Sequence, residues 1–373
     1  MKRVLLIGGS AATGRAIIEE LHARQCQVTI YNRGRHNADL DARDIEFIIG
    51  DPHFRESIEA NLSGREWDIA IATYGRTRYL AEALAGRCGH FIGISGTPVC
   101  RTDLGSPTRE TDPPVRPDGA PASMLGIIPR IVETERRILD LGGDDAFAST
   151  IVRYPYVYGP HSLVPMEWHV MKRVLDGRTR WALPDGGLFM TGRCASANAA
   201  ALIGSVIDNR EVANGKIYHA ADQRQFTQRE WVSLIAGLLG HEFEFVDLPP
   251  SIAALGSSAV PLSGEMLFSH SKQDLAAGRL RHNQPSPLRA QVELGYQEAV
   301  DPIEWIQRTV EYWQSHPYEI DATGSGPLTA QDFDYAAEDA LLGWWDDVLR
   351  NRPSFGETVH RGHPYEHPKT ARP

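Results

Sequence analysis

A small-residue turn near the N-terminus is the segment of this chain that points to chemistry most directly. It runs from Gly8 to Gly14 with the spacing G-x-x-A-x-x-G, after four apolar residues and before a segment with apolar residues at helical spacing. A turn of this kind brings backbone N–H groups and a positive helix N-terminus to a pyrophosphate. The spacing departs from the usual G-x-G-x-x-G, but the strand before it and the helix after it favour a dinucleotide site over a purely structural turn.

Each residue type in the turn supports this prediction. Gly8 permits the tight turn, and Gly14 lets the helix pack closely against the sheet. The residues between them are small, so the backbone can approach the phosphates. Those predicted to contact the cofactor are Ser10, Ala11, Ala12 and Thr13.

The end of the second predicted strand indicates which dinucleotide is bound. It reads Tyr31-Asn32-Arg33-Gly34-Arg35, with arginine where an acidic residue would accept hydrogen bonds from the adenosine ribose. A guanidinium can instead pair with a 2′-phosphate and stack on adenine. We therefore expect NADP(H) in preference to NAD(H), with Asn32 and Arg33 at the cofactor. The alternative is a solvated arginine on an exposed loop.

Two further strand ends belong to the same predicted site. Asp51 follows the third strand, where its carboxylate can accept a hydrogen bond from the adenine amino group. Thr73 and Tyr74 follow the fourth strand and are expected along the ribose and pyrophosphate. Ligands of doubly wound sheets lie beyond the carboxyl ends of the strands, so these positions are consistent with one crevice.

The elements that must position these residues alternate over the first part of the chain. Strand-like runs at residues 4–7, 27–31, 45–49, 68–73, 90–95 and 148–153 are separated by amphipathic segments. Near-continuous apolar strands joined by helices predict an α/β fold with a doubly wound parallel sheet. We predict a dinucleotide-binding domain over 1–158, a smaller α/β substrate-capping region over 159–315 and a C-terminal extension over 316–373. Within the cap, 216–221 is expected to return to the main sheet. The extension should contain an amphipathic helix over about 330–349, with Ala336, Leu341, Trp344 and Val348 on its apolar face.

Composition limits the class of protein. The 373 residues include 38 Lys and Arg against 48 Asp and Glu, and the formal net charge of −10 disfavours sequence-independent nucleic-acid binding. No apolar run approaches the length of a membrane span, and the four cysteines are far apart, as in reduced proteins of the cytoplasm. We expect no metal site. His360, His363 and His367 have zinc-like spacing, but Pro364 and Pro368 break any helix that would align them and favour a solvated tail.

With these features, the sequence resembles the extended, epimerase/dehydratase-like branch of the short-chain dehydrogenase/reductase superfamily, over roughly residues 3–315. The resemblance rests on the glycine turn, on Asn32-Arg33-Gly34, on Gly50-Asp51, and on the segment 153–160, Arg-Tyr-Pro-Tyr-Val-Tyr-Gly-Pro, which is similar to the family's R-P-x-x-V-Y-G-P. It implies a Rossmann-type domain that holds a nucleotide cofactor and a C-terminal region that holds the substrate. It also leaves open whether the chain is a homodimer.

The family's catalytic residues do not carry over. The resemblance implies a Ser or Thr and a Tyr-x-x-x-Lys pair, in which tyrosine exchanges the proton and lysine lowers its pKa. When the helix is aligned on Val132-Glu133-Thr134-Glu135-Arg136, Ile127 takes the tyrosine position and Ile131 the lysine position. The serine position falls on Gly96, between Ser95 and Thr97, and no lysine occurs between Lys2 and Lys172.

Other side chains near the predicted crevice are candidates for the missing roles. Tyr74, Ser95, Thr97, Tyr154 and Tyr156 are the catalytic candidates, and Pro155 is expected beside the nicotinamide. If the sixth strand continued, Tyr154, Tyr156 and Tyr158 would share one face and Arg153 the other. Tyr156, His161 and Arg193 are the candidates for binding substrate, although a salt bridge is an equally good interpretation of Arg193.

Three functions are compatible with this pattern. The favoured one is an NADP(H)-dependent oxidoreductase acting on a small carbonyl, imine or sugar-like substrate by a non-standard proton transfer. A non-redox lyase, dehydratase or cyclase on the same scaffold is the second. A nucleotide-binding protein without catalysis is the third. The retained glycine turn argues against a vestigial cofactor site, whereas the missing tyrosine argues against routine sugar epimerisation.

Overall fold

The computed structural model describes residues 1–37, 40, 44–115, 126–143, 146–253, 257–263, 274, 276–320, 326–354 and 356, and is built around a seven-stranded sheet. The strand order is β10-β6-β5-β4-β1-β2-β3, and each neighbouring pair is parallel. Its strands are β1 (Arg3–Ile7), β2 (Gln27–Asn32), β3 (Ile45–Ile49), β4 (Trp67–Ala72), β5 (Cys88–Gly96), β6 (Ala148–Tyr154) and β10 (Lys216–His219). This architecture confirms the predicted doubly wound α/β fold.

Helices cover both faces of the sheet because its strands are apolar on both sides. Along β1, Leu6 packs with α1 (Ala12–Ala23) and α6 (Ser196–Asp208), while Leu5 and Ile7 pack with the opposite layer. That layer is formed by α2 (Arg55–Leu62), α3 (Thr77–Leu84) and α4 (Ile128–Gly143). The three β1 side chains are fully buried, as expected for a strand in the middle of a parallel sheet.

The region after the sixth strand forms a second apolar core around two tryptophans. Trp181 and Trp231 are fully buried there, with Tyr158 and Trp313 in the same cluster. Two small parallel sheets belong to this region: β7 (Tyr156–Tyr158) pairs with β9 (Arg193–Ala195), and β8 (Arg180–Pro184) pairs with β11 (Glu244–Leu248). Its helices are α5 (Glu167–Leu175), α7 (Arg210–Ala213), α8 (Gln228–Leu238), α9 (Pro250–Ala253), α10 (Leu288–Leu294) and α11 (Pro302–Ser315).

The sixth strand does not continue through the tyrosine series. β6 ends at Tyr154, and β7 starts at Tyr156 in a different sheet. Pro155 lies between them and has no N–H to donate to a neighbouring strand, so the chain changes sheet there. Consequently Tyr154, Tyr156 and Tyr158 do not line one strand face.

The C-terminal helix buries a different face from the one predicted. A short 3₁₀ turn at Ala330–Phe333 precedes α12 (Tyr335–Arg350), and the Asp334 side chain caps the helix by accepting a bond from the Ala337 N–H. Glu338 and Leu342 are its buried side chains, whereas Trp344 and Val348 are exposed. The prediction of the apolar face was wrong: the helix buries Leu342 in an apolar cluster and Glu338 in an ion pair with Arg173 of α5.

None of the helices in the described ranges combines the length and the apolar character needed to cross a membrane. The histidines at 360, 363 and 367 lie outside those ranges. Within them, no three His, Cys, Asp or Glu side chains are placed to hold a metal ion.

Candidate functional site

The glycine turn is held against the neighbouring strand end. Gly8 has a φ of 108°, and a Cβ atom there would lie 2.4 Å from Thr73 Oγ1. That hydroxyl donates to the Ile7 carbonyl at 2.7 Å, and Asn32 Nδ2 donates to the Gly8 carbonyl at 2.9 Å. Only glycine fits at position 8, both for its backbone conformation and for the space available.

The N-terminus of α1 faces the turn without a capping side chain. A Cβ atom on Gly14 would lie 2.4 Å from Gly9 Cα, so the helix packs directly on the turn. Among the described residues, no side chain caps the first turn of α1, and Ala11 accepts the first helical bond from the Arg15 N–H. The uncapped N–H groups at this terminus fit the phosphates of a dinucleotide.

Arg15 brings a positive charge to the turn that was not predicted as part of the site. Its Nε donates to the Ser10 carbonyl at 3.1 Å, and the side chain is half-buried. The sequence signal was its place in the first helical turn, directly after Gly14.

The predicted adenosine end brings together side chains from three strand ends. The Arg33 guanidinium lies 5.3 Å from the centre of the Tyr74 ring, and His53 meets the same ring edge-on at 4.7 Å. Asp51 Oδ1 lies 2.9 Å from His53 Nδ1 and accepts the His53 backbone N–H at 3.0 Å. Although burial raises the pKa of Asp51, these bonds and the charge of nearby Arg33 hold it below its ordinary value. His53 is a further site residue that the sequence prediction missed.

Asn32 contributes to this end through bonds of its side chain to neighbouring loops. Its side chain is buried and bonds the Gly8 carbonyl, the Gly34 N–H and the Asn37 side chain. These contacts tie the loop that carries Arg33 to the glycine turn. Direct contact of Asn32 with cofactor stays a prediction.

The carboxyl ends of β5 and β6 carry a buried ion pair next to Ser95. Arg153 donates to Glu135 through Nε at 2.9 Å and through Nη2 at 2.8 Å. Ser95 Oγ donates to Oε1 of the same carboxylate at 2.5 Å. Burial alone would lower the pKa of Arg153, but its bonds to Glu135 raise it above the ordinary value. Glu135 was not among the predicted site residues, because its place in the segment 132–136 indicates the helix and not the contact with Ser95 and Arg153.

Isoleucine occupies both positions at which the family resemblance implies tyrosine and lysine. Ile127 is exposed, and Ile131 packs beside a small cluster of Val99, Cys100 and Ile128. Neither isoleucine can donate or accept a proton. Thr97 is buried at the start of a 3₁₀ turn that follows β5, so it lies close in sequence and space to Ser95.

Each tyrosine predicted near the nicotinamide lies in a different environment. The Tyr154 hydroxyl is buried and has no hydrogen-bond partner among the described residues, and burial raises its pKa far above the ordinary value. Tyr156 OH accepts from the Met166 N–H at 2.8 Å and lies 3.0 Å from both the Val164 carbonyl and Glu167 Oε2. These surroundings favour packing for Tyr154 and loop anchoring for Tyr156, and their catalytic roles stay predictions.

The two remaining substrate-binding candidates are held by internal contacts. His161 has a φ of 63°, and its Nδ1 lies 3.0 Å from the Tyr312 hydroxyl. Arg193 is buried over the Trp231 ring and donates to Gln228 Oε1 at 2.8 Å. These contacts favour a structural interpretation of Arg193 over a clamp for an anionic substrate.

Comparison with known proteins identifies the fold. No family model and no curated protein sequence matches the chain. Among solved structures, dTDP-glucose 4,6-dehydratase from Bacillus anthracis in complex with NAD is 15% identical, with a TM-score of 0.62 over 84% of this chain and 97% of that one. The fold is that of the extended short-chain dehydrogenases/reductases.

Two further solved structures of this kind are epimerases. UDP-glucose 4-epimerase from Thermotoga maritima with UDP-glucose is 16% identical, with a TM-score of 0.65 over 85% of this chain and 100% of that one. UDP-glucuronic acid 4-epimerase from Bacillus cereus in complex with NAD is 13% identical, with a TM-score of 0.63 over the same shares. At these identities the likeness extends to the fold and not to the reaction.

Proposed function

We propose that this protein is an NADP(H)-dependent oxidoreductase that acts on a small organic substrate without the tyrosine–lysine pair of its fold relatives. The observation that carries the proposal is the contact of Arg33 with Tyr74, beside a glycine turn that leads into α1 without a capping side chain at Ala11. A guanidinium held over an aromatic ring at the end of β2 is suited to a 2′-phosphate and an adenine ring.

Different residues hold different parts of the cofactor. The N-terminus of α1 binds the pyrophosphate, and Arg15 adds a positive charge at the same turn. Asp51 and His53 lie beside the adenine, while Arg33 binds the 2′-phosphate. When bound, a nicotinamide dinucleotide supplies or accepts a hydride. The substrate then lies over the ends of β5 and β6, between the sheet and the capping region.

Binding experiments test the nucleotide half of this proposal. NADPH should quench the fluorescence of the tryptophans, and NADH should bind at least about tenfold more weakly, because it lacks the phosphate that Arg33 recognises. Equal affinities would remove the argument for NADP(H). Absence of binding by either nucleotide would overturn the proposed function altogether.

A substrate panel tests the catalytic half. NADPH oxidation would be followed with carbonyl, imine and enone compounds, and NADP⁺ reduction with the corresponding alcohols. Turnover of one class supports an oxidoreductase. Binding of NADPH with no turnover of any class would favour a nucleotide-binding protein without redox activity.

A non-redox lyase, dehydratase or cyclase is the second candidate. It is favoured by the apolar side chains of Ile127 and Ile131 at the positions where the family resemblance implies a proton-exchanging tyrosine and its lysine. This function predicts conversion of substrate with no net change in nicotinamide absorbance, which separates it from the first candidate.

A further inference from the structure

Three strands place polar side chains in one row on the face of the sheet that packs against α4. Ser95 of β5 is in register with Arg153 of β6, and Arg153 is in register with His219 of β10. Residues paired in parallel strands point to the same face of the sheet. Glu135 of α4 approaches this row from above and contacts its first two members.

The hydrogen bonds in this cluster have a definite direction. Both oxygens of Glu135 accept from Arg153, and Oε1 also accepts the Ser95 hydroxyl hydrogen. Since that hydrogen is committed, the Ser95 oxygen can only accept a bond from an incoming group. An approaching substrate atom must therefore be a donor.

Ser95 is the most exposed of the three side chains that share these bonds. Glu135 and Arg153 are 4% and 5% exposed, whereas Ser95 is half-buried. A buried ion pair is seldom worth more to stability than apolar side chains of similar size. Its presence at the carboxyl ends of β5 and β6, where ligands of this fold lie, calls for a chemical role.

We propose that Ser95 and Glu135 are the proton-transfer pair of this crevice, and that the substrate presents an alcohol hydroxyl to Ser95. This inference rests on the proposed function, because the hydride partner is the nicotinamide. In oxidation, a bound NADP⁺ would accept the hydride of the substrate C–H bond, and the hydroxyl proton moves to Ser95 Oγ. The Ser95 proton moves at the same time to Glu135 Oε1, leaving a carbonyl product, NADPH and a neutral Glu135. Reduction of the carbonyl reverses each transfer.

Arg153 has a positioning role in this scheme. Its two bonds fix the plane of the carboxylate, so that Oε1 faces Ser95 and cannot rotate away. Ser95 touches the substrate and is a catalytic residue, whereas Glu135 acts through it.

The test compares Ser95→Ala and Glu135→Gln with two matched controls, Ser205→Ala on α6 and Glu133→Gln on the exposed face of α4. The Ser205 hydroxyl donates to the Ala201 carbonyl of its own helix, and Glu133 pairs with Arg78 at the surface. NADPH dissociation constants, from tryptophan quenching, should stay within about twofold for all four variants. NADP⁺ reduction with a panel of secondary alcohols should fall by at least about 100-fold in the two test variants only. Ser95→Thr, which keeps the hydroxyl, should recover most of the rate.

A binding measurement avoids dependence on turnover. With NADPH bound, which cannot accept a hydride, cyclohexanol should bind more tightly than tetrahydropyran, a ring of similar size without a donor. Saturation-transfer NMR should show that Ser95→Ala abolishes this preference and Ser205→Ala preserves it.

The outcomes separate the two proposals. Loss of NADPH binding by the wild-type protein overturns the proposed function itself. Intact NADPH binding with no alcohol turnover by the wild type, with no preference for cyclohexanol, or with near wild-type rates in Ser95→Ala overturns the assignment of Ser95 and Glu135 alone.

Discussion

The Arg33 guanidinium lies 5.3 Å from the centre of the Tyr74 ring, so side chains that follow β2 and β4 form one basic, aromatic surface. These residues are 41 positions apart in the chain, and the parallel order of the strands brings them together. This surface is the basis for the expected preference for NADP(H).

Replacing Arg33 by Asp should lower NADPH affinity by at least about 30-fold and change NADH affinity by less than about threefold. The reason is that a carboxylate repels the 2′-phosphate but can accept bonds from a ribose hydroxyl. Titration of tryptophan fluorescence measures both constants. Arg350→Asp, at the exposed end of α12, is the control for net charge and should change neither. Equal losses for the two nucleotides would contradict the assignment.

Replacing Gly14 by Ala should abolish nucleotide binding and lower the free energy of unfolding by about 3 kcal/mol. The added Cβ would lie 2.4 Å from Gly9 Cα, so α1 must move away from the turn. Gly237→Ala is the matched control, because position 237 is inside α8 with no atom within 4 Å of the new Cβ. That variant should be more stable by about 0.5–1 kcal/mol. Urea denaturation measures both changes, and an unaffected Gly14→Ala variant would refute the packing argument.

Replacing Glu338 by Ala should lower the free energy of unfolding by about 3–5 kcal/mol, because Arg173, which is fully buried, would lose its carboxylate partner. The adjacent Asp339 pairs with Arg178 but is 62% exposed, so Asp339→Ala should cost less than about 1 kcal/mol. Denaturation of the full-length chain would measure both. Similar small losses for the two variants would show that the ion pair does not hold α12 to α5.

Ionisation of the Asp222 carboxyl should lower the free energy of unfolding as pH rises from 4 to 6. Burial raises the pKa of its carboxyl to about 6, against the lowering effect of bonds from Asn198, Ala195 and Tyr158. The folded state therefore keeps a proton that the unfolded chain has released near pH 4, and the stability from that proton is lost as pH rises through 6. The whole shift corresponds to about 3 kcal/mol, of which about 2 kcal/mol is lost between pH 4 and pH 6.

The measurement is the difference in unfolding free energy between the wild type and Asp222→Asn at pH 4 and pH 6. Asparagine does not titrate, so the wild type should lose stability relative to the variant over this interval. A difference that stays constant with pH would place the carboxyl's pKa near its ordinary value.

The sequence predicted the strands of the sheet more completely than the contacts within the candidate site. Strand positions in the sheet were predicted closely, because β-branched and apolar runs such as residues 4–7 and 148–153 have few alternatives to a buried parallel strand. The glycine turn was also predicted, because its pattern lies within one short segment of the sequence. Glu135 was missed, because its partners Ser95 and Arg153 are 40 and 18 residues away and no spacing rule connects them.

The amino-acid sequence by itself determined the order of strands and helices, the turn that suits a dinucleotide and the absence of the tyrosine–lysine pair. These are properties of short segments, set by side-chain periodicity and by the backbone freedom of glycine. Only the tertiary structure decided which polar groups meet: Arg33 with Tyr74, Ser95 with Glu135, and Arg173 with Glu338. Such pairings depend on strand register and helix rotation, which are set by the packing of the whole core and not by neighbours in the chain.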